Sequence, residues 1–363
     1  MGLLHTVKKY IHPVTSLVLG RASVVEGVLK NGNRPFRCLF IGNSDFTNYI
    51  SQRTFAENPG VLRHWRTWIP SVDKLLAHPP ADVDICIALL PDRYDVKIDN
   101  IHSFKGKQFV VQRIDLSGTI EDVKNRFHKT KRQTSKNILV KSGLTYRISN
   151  DLEDFDRFYR SMFLPLIRGK YADLASIESF EEMKRFFLQG FLLLVSHGDK
   201  VVSGALCIVK GDRLCFRRSG VLDADEKYIK MGAQNALYLF NIMHAKSLGL
   251  KFVDAMMSDA MMNDGVYRAK LEWGATAYPD EESDSSVYYF IPRYSEKVVD
   301  FFELNPVIVH GTENRLTGIV GSPKIDEAAE KELCNQYKAP GIENLLVMTS
   351  GIGELRNIPL ETT

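Results

Sequence analysis

Phe191-Leu192-Leu193-Leu194-Val195-Ser196 is an apolar run closed by the turn His197-Gly198-Asp199-Lys200. Val201-Val202-Ser203-Gly204-Ala205-Leu206-Cys207-Ile208-Val209 follows, and Lys210-Gly211-Asp212 turns the chain again into Arg213-Leu214-Cys215-Phe216-Arg217-Arg218-Ser219. Short β-rich runs separated by tight Gly/Asp turns predict three antiparallel strands joined as a meander. Gly204 inside the middle strand marks a close approach or a bulge.

Working outward, the spacing predicts a long helix over about Met231 to Ser247, stopped by Gly249. Apolar residues occur on several of its sides (Leu237, Leu239, Phe240, Ile242, Met243), so it is expected to be well buried. Lys251 to Met257 predicts a strand. Asp264 is placed to cap a helix from Val266 to Trp273, closed by Gly274, and Ser286 to Ile291 predicts a last strand ended by Pro292. The expected order is therefore strand, strand, strand, helix, strand, helix, strand.

Toward the N-terminus, Phe36 to Asn43, Val83 to Leu90 and Gln108 to Ile114 predict strands, and Leu62 to Leu76 shows helix-like spacing broken by Pro70. Residues 1–34 are expected to be a lead-in, and Met1-Gly2-Leu3-Leu4-His5-Thr6 fits a short N-myristoylation pattern that chance matches often. One helix is expected from Ser117 or Thr119 to about Lys141. It carries Lys124, Arg126, His128, Lys129, Lys131, Arg132, Lys136 and Lys141 with no acid after Asp122, which suits either a solvated face or a cradle for phosphates. Leu144 to Ser149 predicts a short strand. A helix bearing Phe155, Phe158, Tyr159, Met162 and Phe163 follows, then a loop around Gly169 to Ser176 and a helix over about Ser179 to Gln189. Beyond residue 301, Asn305 to Val309, Glu327 to Gln336 and Leu345 to Met348 suggest further elements with no assigned function.

The 363 residues are 44% hydrophobic and 25% charged, which excludes a disordered or collagen-like chain. With 47 basic and 44 acidic residues, the formal charge of +3 argues against a dedicated, highly basic nucleic-acid binder. Five scattered cysteines without a CxxC pair argue against a disulfide framework or a zinc site, and no clustered His/Cys set suggests any metal. A reducing cytosol is the expected compartment, and no run of about 18 apolar residues predicts a membrane span. No GxSxG elbow, P-loop or dinucleotide fingerprint is present.

The element order, together with Tyr267-Arg268-Ala269-Lys270-Leu271-Glu272-Trp273-Gly274-Ala275, resembles the catalytic half of GNAT-fold acyltransferases. It is most similar to the Fem-like subgroup, which joins two GNAT-like halves in one chain. Gly232, Asp254 and the Tyr267/Lys270/Trp273/Gly274 segment occupy places that members of this group share, over about residues 115–293. The resemblance implies an α+β fold of tandem GNAT-like mixed sheets flanked by helices. Its expected parts are a lead-in over 1–34, a degenerate first half over 35–150, a catalytic half over 151–300 and an extension over 301–363.

The resemblance further implies N-acyl transfer from an acyl-CoA co-substrate to a small-molecule amine. The donor would lie between two splayed strands, its pyrophosphate on the backbone at Lys230, Met231, Gly232, Ala233 and Gln234. Ile229 stands where Arg or Gln is usual in that loop, and Gln234 where a small residue is usual, so aminoacyl-tRNA is the alternative donor. A catalytically silent binding module is the rival from another class.

Catalytic roles are expected at Asp254 (accepting the amine proton), Tyr267 (donating to the leaving group) and Lys270 (neutralising charge), each with a structural alternative. Arg217, Arg218 and Tyr228 are the expected substrate contacts. Strict alternation along a strand would let only one of the two arginines face the cleft.

Overall fold

The computed structural model describes residues 19–68, 72–94, 102–171, 177–311, 315–350 and 355–360. The Met1–Thr6 pattern, Pro70 and most of the loop before residue 177 lie outside them. Elements run in the order β1 (Leu19–Val28), β2 (Pro35–Gly42), α1 (Ser44–Thr54), β3 (Gly60–Trp68), α2 (Val72–Ala77), β4 (Ile85–Pro91), β5 (His102–Gly106) and β6 (Phe109–Asp115). Next come α3 (Ile120–Asn125), α4 (Lys129–Val140), β7 (Leu144–Ser149), α5 (Leu152–Arg157), a π-helical turn (Phe158–Phe163), α6 (Leu164–Tyr171) and α7 (Phe180–Phe187). The meander β8 (Phe191–His197), β9 (Lys200–Lys210), β10 (Arg213–Val221) leads to α8 (Glu226–Met231), α9 (Ala233–Ser247), β11 (Phe252–Asp259), α10 (Gly265–Leu271) and β12 (Ala275–Pro279). The chain finishes with β13 (Ser285–Ile291), α11 (Glu296–Leu304), β14 (Val307–His310), β15 (Leu316–Ser322), α12 (Glu327–Tyr337), β16 (Ile342–Thr349) and β17 (Leu355–Pro359).

The fold is α+β, with mixed sheets flanked by helices. It forms two compact units. The second comprises residues 111–258 and 265–278; the first comprises the rest. The division expected at 150/151 lies instead near 110/111, because β7 pairs antiparallel with β8 and so belongs to the second unit's sheet. The segment from 279 onward joins the first unit and is not a separate extension: β13 pairs with β4 and β5 in the first sheet. β14 to β17 build a four-stranded sheet of their own in the same unit.

The first unit's six-stranded sheet has the order β3-β1-β2-β4-β13-β5. The expected lead-in contains β1, which pairs with both β2 and β3. Of the helix-like stretch Leu62 to Leu76, the part after Pro70 is helical from Val72 (α2), but Leu62 to Trp68 belongs to the edge strand β3; its Arg63, His64 and Arg66 are solvent-exposed, and an edge strand with one wet face loses the apolar signature of a buried one. The second unit's seven-stranded sheet has the order β12-β6-β11-β10-β9-β8-β7. α9 packs against it, burying Ala233, Ala236, Leu237, Leu239, Phe240, Ile242 and Ala245.

The single basic helix expected over 117–141 is two helices. Phe127 turns inward between them and meets the Trp273 ring edge-on at 5.1 Å. His128 then caps α4 through its ring nitrogen. Thr119 and Asp122 close a capping box on α3. Among the described residues no helix is long and apolar enough to cross a membrane.

Candidate active site

β10 and β11 run parallel and pair only over Arg213–Cys215 against Phe252–Asp254. Beyond Cys215 and Asp254 the ladder stops while both strands continue, and a cleft of about 600 Å³ lies there. Phe216 to Ser219 of β10 and Ala255 to Met257 of β11 line it, with Gln234 and Tyr238 of α9 and Lys270 of α10.

The opening follows from a local backbone feature. Met256 has a left-handed backbone, φ 63°, inside β11, a conformation that costs a non-glycine residue free energy and must be held from outside. Asp254 Oδ1 accepts the Met256 N–H at 2.8 Å. Lys270 Nζ donates to the carbonyls of Met256 (3.1 Å) and Met257 (2.8 Å). Asp254, 7% exposed, also faces Arg113 at 3.5 Å and Arg213 at 3.7 Å. Asp254 and Lys270 therefore grip the bulge from its two sides. Lys270 also reaches the cleft wall; Asp254 is not among the lining residues.

A second bulge shapes the other strand. β9 and β10 shift register between Phe216 and Arg218, so Arg217 is the extra residue. Strict alternation is lost, and both arginines line the cleft, correcting the expectation that only one could. Glu178 bridges them: Arg218 Nε donates to it at 2.5 Å and Arg217 at 3.4 Å. The Arg217 guanidinium lies 3.4 Å from the Phe186 ring centroid, and burial lowers its pKa against the opposing pull of Glu178. Glu178 was not singled out in the sequence because its role exists only across the fold.

The five residues expected to hold a donor pyrophosphate flank the start of α9. Gly232 takes φ 94°, ending α8 and opening α9, which has no side-chain cap and no acid in its first turn. Gln234 lines the cleft, as does Ile229 just before the turn. Lys230 is exposed and paired with Glu226 at 2.6 Å. Met231 is half-buried against the core and Ala233 fully buried, so neither side chain is free to meet a ligand. Lys131 of α4, noted in the sequence only as part of a basic run, donates to Asn235 in the first turn of α9 at 2.9 Å.

Tyr228 is buried, with Lys200 5.4 Å above its ring, and does not line the cleft. Tyr267 is 1% exposed and lies outside the lining; burial pushes its phenol pKa well up, and its carbonyl accepts from Gln112 at 3.1 Å. The tyrosine that does line the cleft is Tyr238, which the sequence reading did not single out. Its ring stacks on Trp273 at 5.6 Å, and burial pushes its pKa to about 12. Much of the basic run is spent internally: Lys124 on Glu121, Arg126 on the carbonyls of Asp115 and Ser117, and Arg132 on Asn125.

A parallel pair that separates beside an uncapped helix start is now accompanied by a match over the same stretch: residues 125–268 fit the family model of the acetyltransferase (GNAT) domain. That stretch is similar to a GNAT acetyltransferase domain. No curated protein sequence matches the chain. Solved structures similar to it include FemX (9% identity, 75% of this chain and 84% of that one, TM-score 0.39). They also include L-PGS from Bacillus licheniformis (11%, 76% and 86%, 0.37) and a GCN5-related N-acetyltransferase from Kribbella flavida (11%, 75% and 57%, 0.30). Asp254, within the matched stretch, and Lys270, just beyond it, both bond the backbone at Met256 and Met257 of β11, while Tyr238 and the arginine pair line the cleft beside it.

Proposed function

We propose that the GNAT domain moves an acyl group from acyl-CoA to a small-molecule amine by direct attack. The observation that carries this reading is the divergence of β10 from β11 next to an uncapped helix start. Strand edges past Cys215 and Asp254 offer backbone groups not paired with each other, where an extended donor can hydrogen-bond. The N–H groups at the start of α9 suit the donor's pyrophosphate, with Gly232 supplying the left-handed turn that aims them.

The acceptor amine attacks the thioester carbonyl, forming the C–N bond as the C–S bond breaks. The amine gives up its proton to solvent, and the departing sulfur takes one. In this reading Tyr238, which lines the cleft and whose pKa burial raises, hydrogen-bonds that sulfur. Arg217 and Arg218 against the single carboxylate of Glu178 leave a net positive charge that orients the acceptor. Asp254 and Lys270 act as positioning residues through the bulge.

Aminoacyl-tRNA is the second reading, and it rests on Lys129, Lys136 and Lys141, exposed residues whose side chains make no hydrogen bond or ion pair among the described residues. Thermal unfolding separates the readings. A donor at about 100 times its dissociation constant adds roughly 2.7 kcal/mol of stability. Acetyl-CoA or a longer acyl-CoA is expected to produce that shift. A response to aminoacyl-tRNA alone favours the second reading, and silence toward all of them points to a catalytically inactive module.

Tyr238→Phe is expected to lower turnover by roughly 100-fold with donor binding retained, the size of a lost proton-donor contribution. Tyr267→Phe is expected to alter melting temperature and leave turnover in place. Steady-state kinetics of both variants with the best donor decide the matter; a reversed pattern returns the role to Tyr267.

A further inference from the structure

The first unit holds a cleft that acyl transfer does not use. It is about 990 Å³, near the upper end of the ~300–1,000 Å³ typical of small-molecule sites. One wall is the exposed end of β1 and β3; the other is the start of α1.

Its charge is one-sided. Arg21 of β1 lies directly opposite Arg66 of β3, and Ser23 lies opposite His64. Directly opposed residues share one face of the sheet, with Cβ atoms about 4.5–5.5 Å apart, and like charges so placed repel. On its other side Arg21 pairs with Gly42, which adds no side chain to fill the space. Among the described residues, neither arginine side chain nor that of His64 makes a hydrogen bond or ion pair, and no Asp or Glu lines the cleft. An anion seated at this end of the sheet would relieve that repulsion.

Neutral hydrogen-bonding groups complete the lining. Hydroxyls come from Ser23, Ser44 and Thr47, and amides from Asn48 and Gln52. Such groups match the hydroxyls of a sugar, and two forked guanidiniums match a phosphate.

We propose that this cleft binds a phosphorylated sugar, with Arg21 and Arg66 clamping the phosphate and the polar wall of α1 reading the sugar hydroxyls. The inference does not depend on the acyl-transfer reading, because every residue in it belongs to the first unit.

The test is thermal unfolding of the full chain at low salt with ribose 5-phosphate, glucose 6-phosphate, inorganic phosphate, ribose and a short single-stranded RNA, on wild type, Arg21→Gln, Arg66→Gln and the double variant. At least one sugar phosphate is expected to raise the melting temperature more than inorganic phosphate does, with ribose inert. Each single variant should lose most of that shift and the double variant all of it, while Arg34→Gln, an exposed arginine paired with Glu296, keeps it. Without ligand, Arg21→Gln is expected to melt no lower than wild type, since it removes a repulsion; a lower value means the pair is stabilising and overturns the argument. An equal response to inorganic phosphate, or a response to RNA alone, overturns the sugar-phosphate assignment. No response to either sugar phosphate, or one retained in the double variant, overturns the site.

Discussion

Lys270→Met is expected to lower stability by about 2–4 kcal/mol, since two strand carbonyls lose their donor at once and a buried unsatisfied group costs about 1–3 kcal/mol. The side chain is 4% exposed, so water cannot replace the lost bonds without opening the fold. Relief of the ammonium's own desolvation keeps the loss below the sum of two full penalties. For a unit of this size the fall in melting temperature is about 5–15 °C. The same change is expected to weaken donor binding, because the left-handed turn at Met256 loses the two lysine bonds that help to hold it. Calorimetry with and without acetyl-CoA reads both effects. A variant that melts like wild type yet turns over poorly would show that the ammonium acts on the reacting atoms and not through the bulge.

Gly220→Ala is expected to cost about 3 kcal/mol or more, the upper range for forcing extra volume into a packed core. A methyl group there would sit 2.5 Å from the Met162 carbonyl carbon and 2.6 Å from the Phe163 nitrogen. Those atoms are backbone of the π-helical turn that packs on β10, so no side-chain rotation relieves the clash. The turn would have to lift off β10 near the cleft, and soluble yield and melting temperature should both fall. Normal stability in this variant would mean that the π-helical turn yields easily. Gly232→Ala is the useful contrast: nothing lies within 4 Å of its added methyl, and only the strained φ of 94° resists it.

The meander and its long helix were legible because their signals are local. Tight turns at His197–Lys200 and Lys210–Asp212 bound the strands, and Gly249 stops the helix, as the structure has it. Local signals also misled. The basic stretch after Thr119 has one continuous charge pattern, yet burying Phe127 against Trp273 breaks it into two helices. Polar β3 imitates a helix until its pairing with β1 is known. Ser285–Ile291 was recognisable as a strand, but nothing within it says that its partners are β4 and β5.

The candidate site was legible as an address rather than as a mechanism. Asp254, Lys270, Gly232 and the arginine pair were all picked out, and all lie at or beside the opening between β10 and β11. Their contacts came from elsewhere: Met256 bends left-handed because Asp254 and Lys270 hold it, and Arg217 and Arg218 share a face because one extra residue enters β10. Glu178 and Tyr238 carried no signal that a periodicity count could separate from loop and core.

Residue order alone determined most of the strands and helices around Phe191–Trp273, though not the short α8 before Gly232, since turn chemistry and apolar spacing act over a few neighbours. Tertiary structure alone decided where the sheet opens, which side chains face the opening, and that residues beyond 279 return to the first unit, because each of these depends on bonds between groups far apart in the chain.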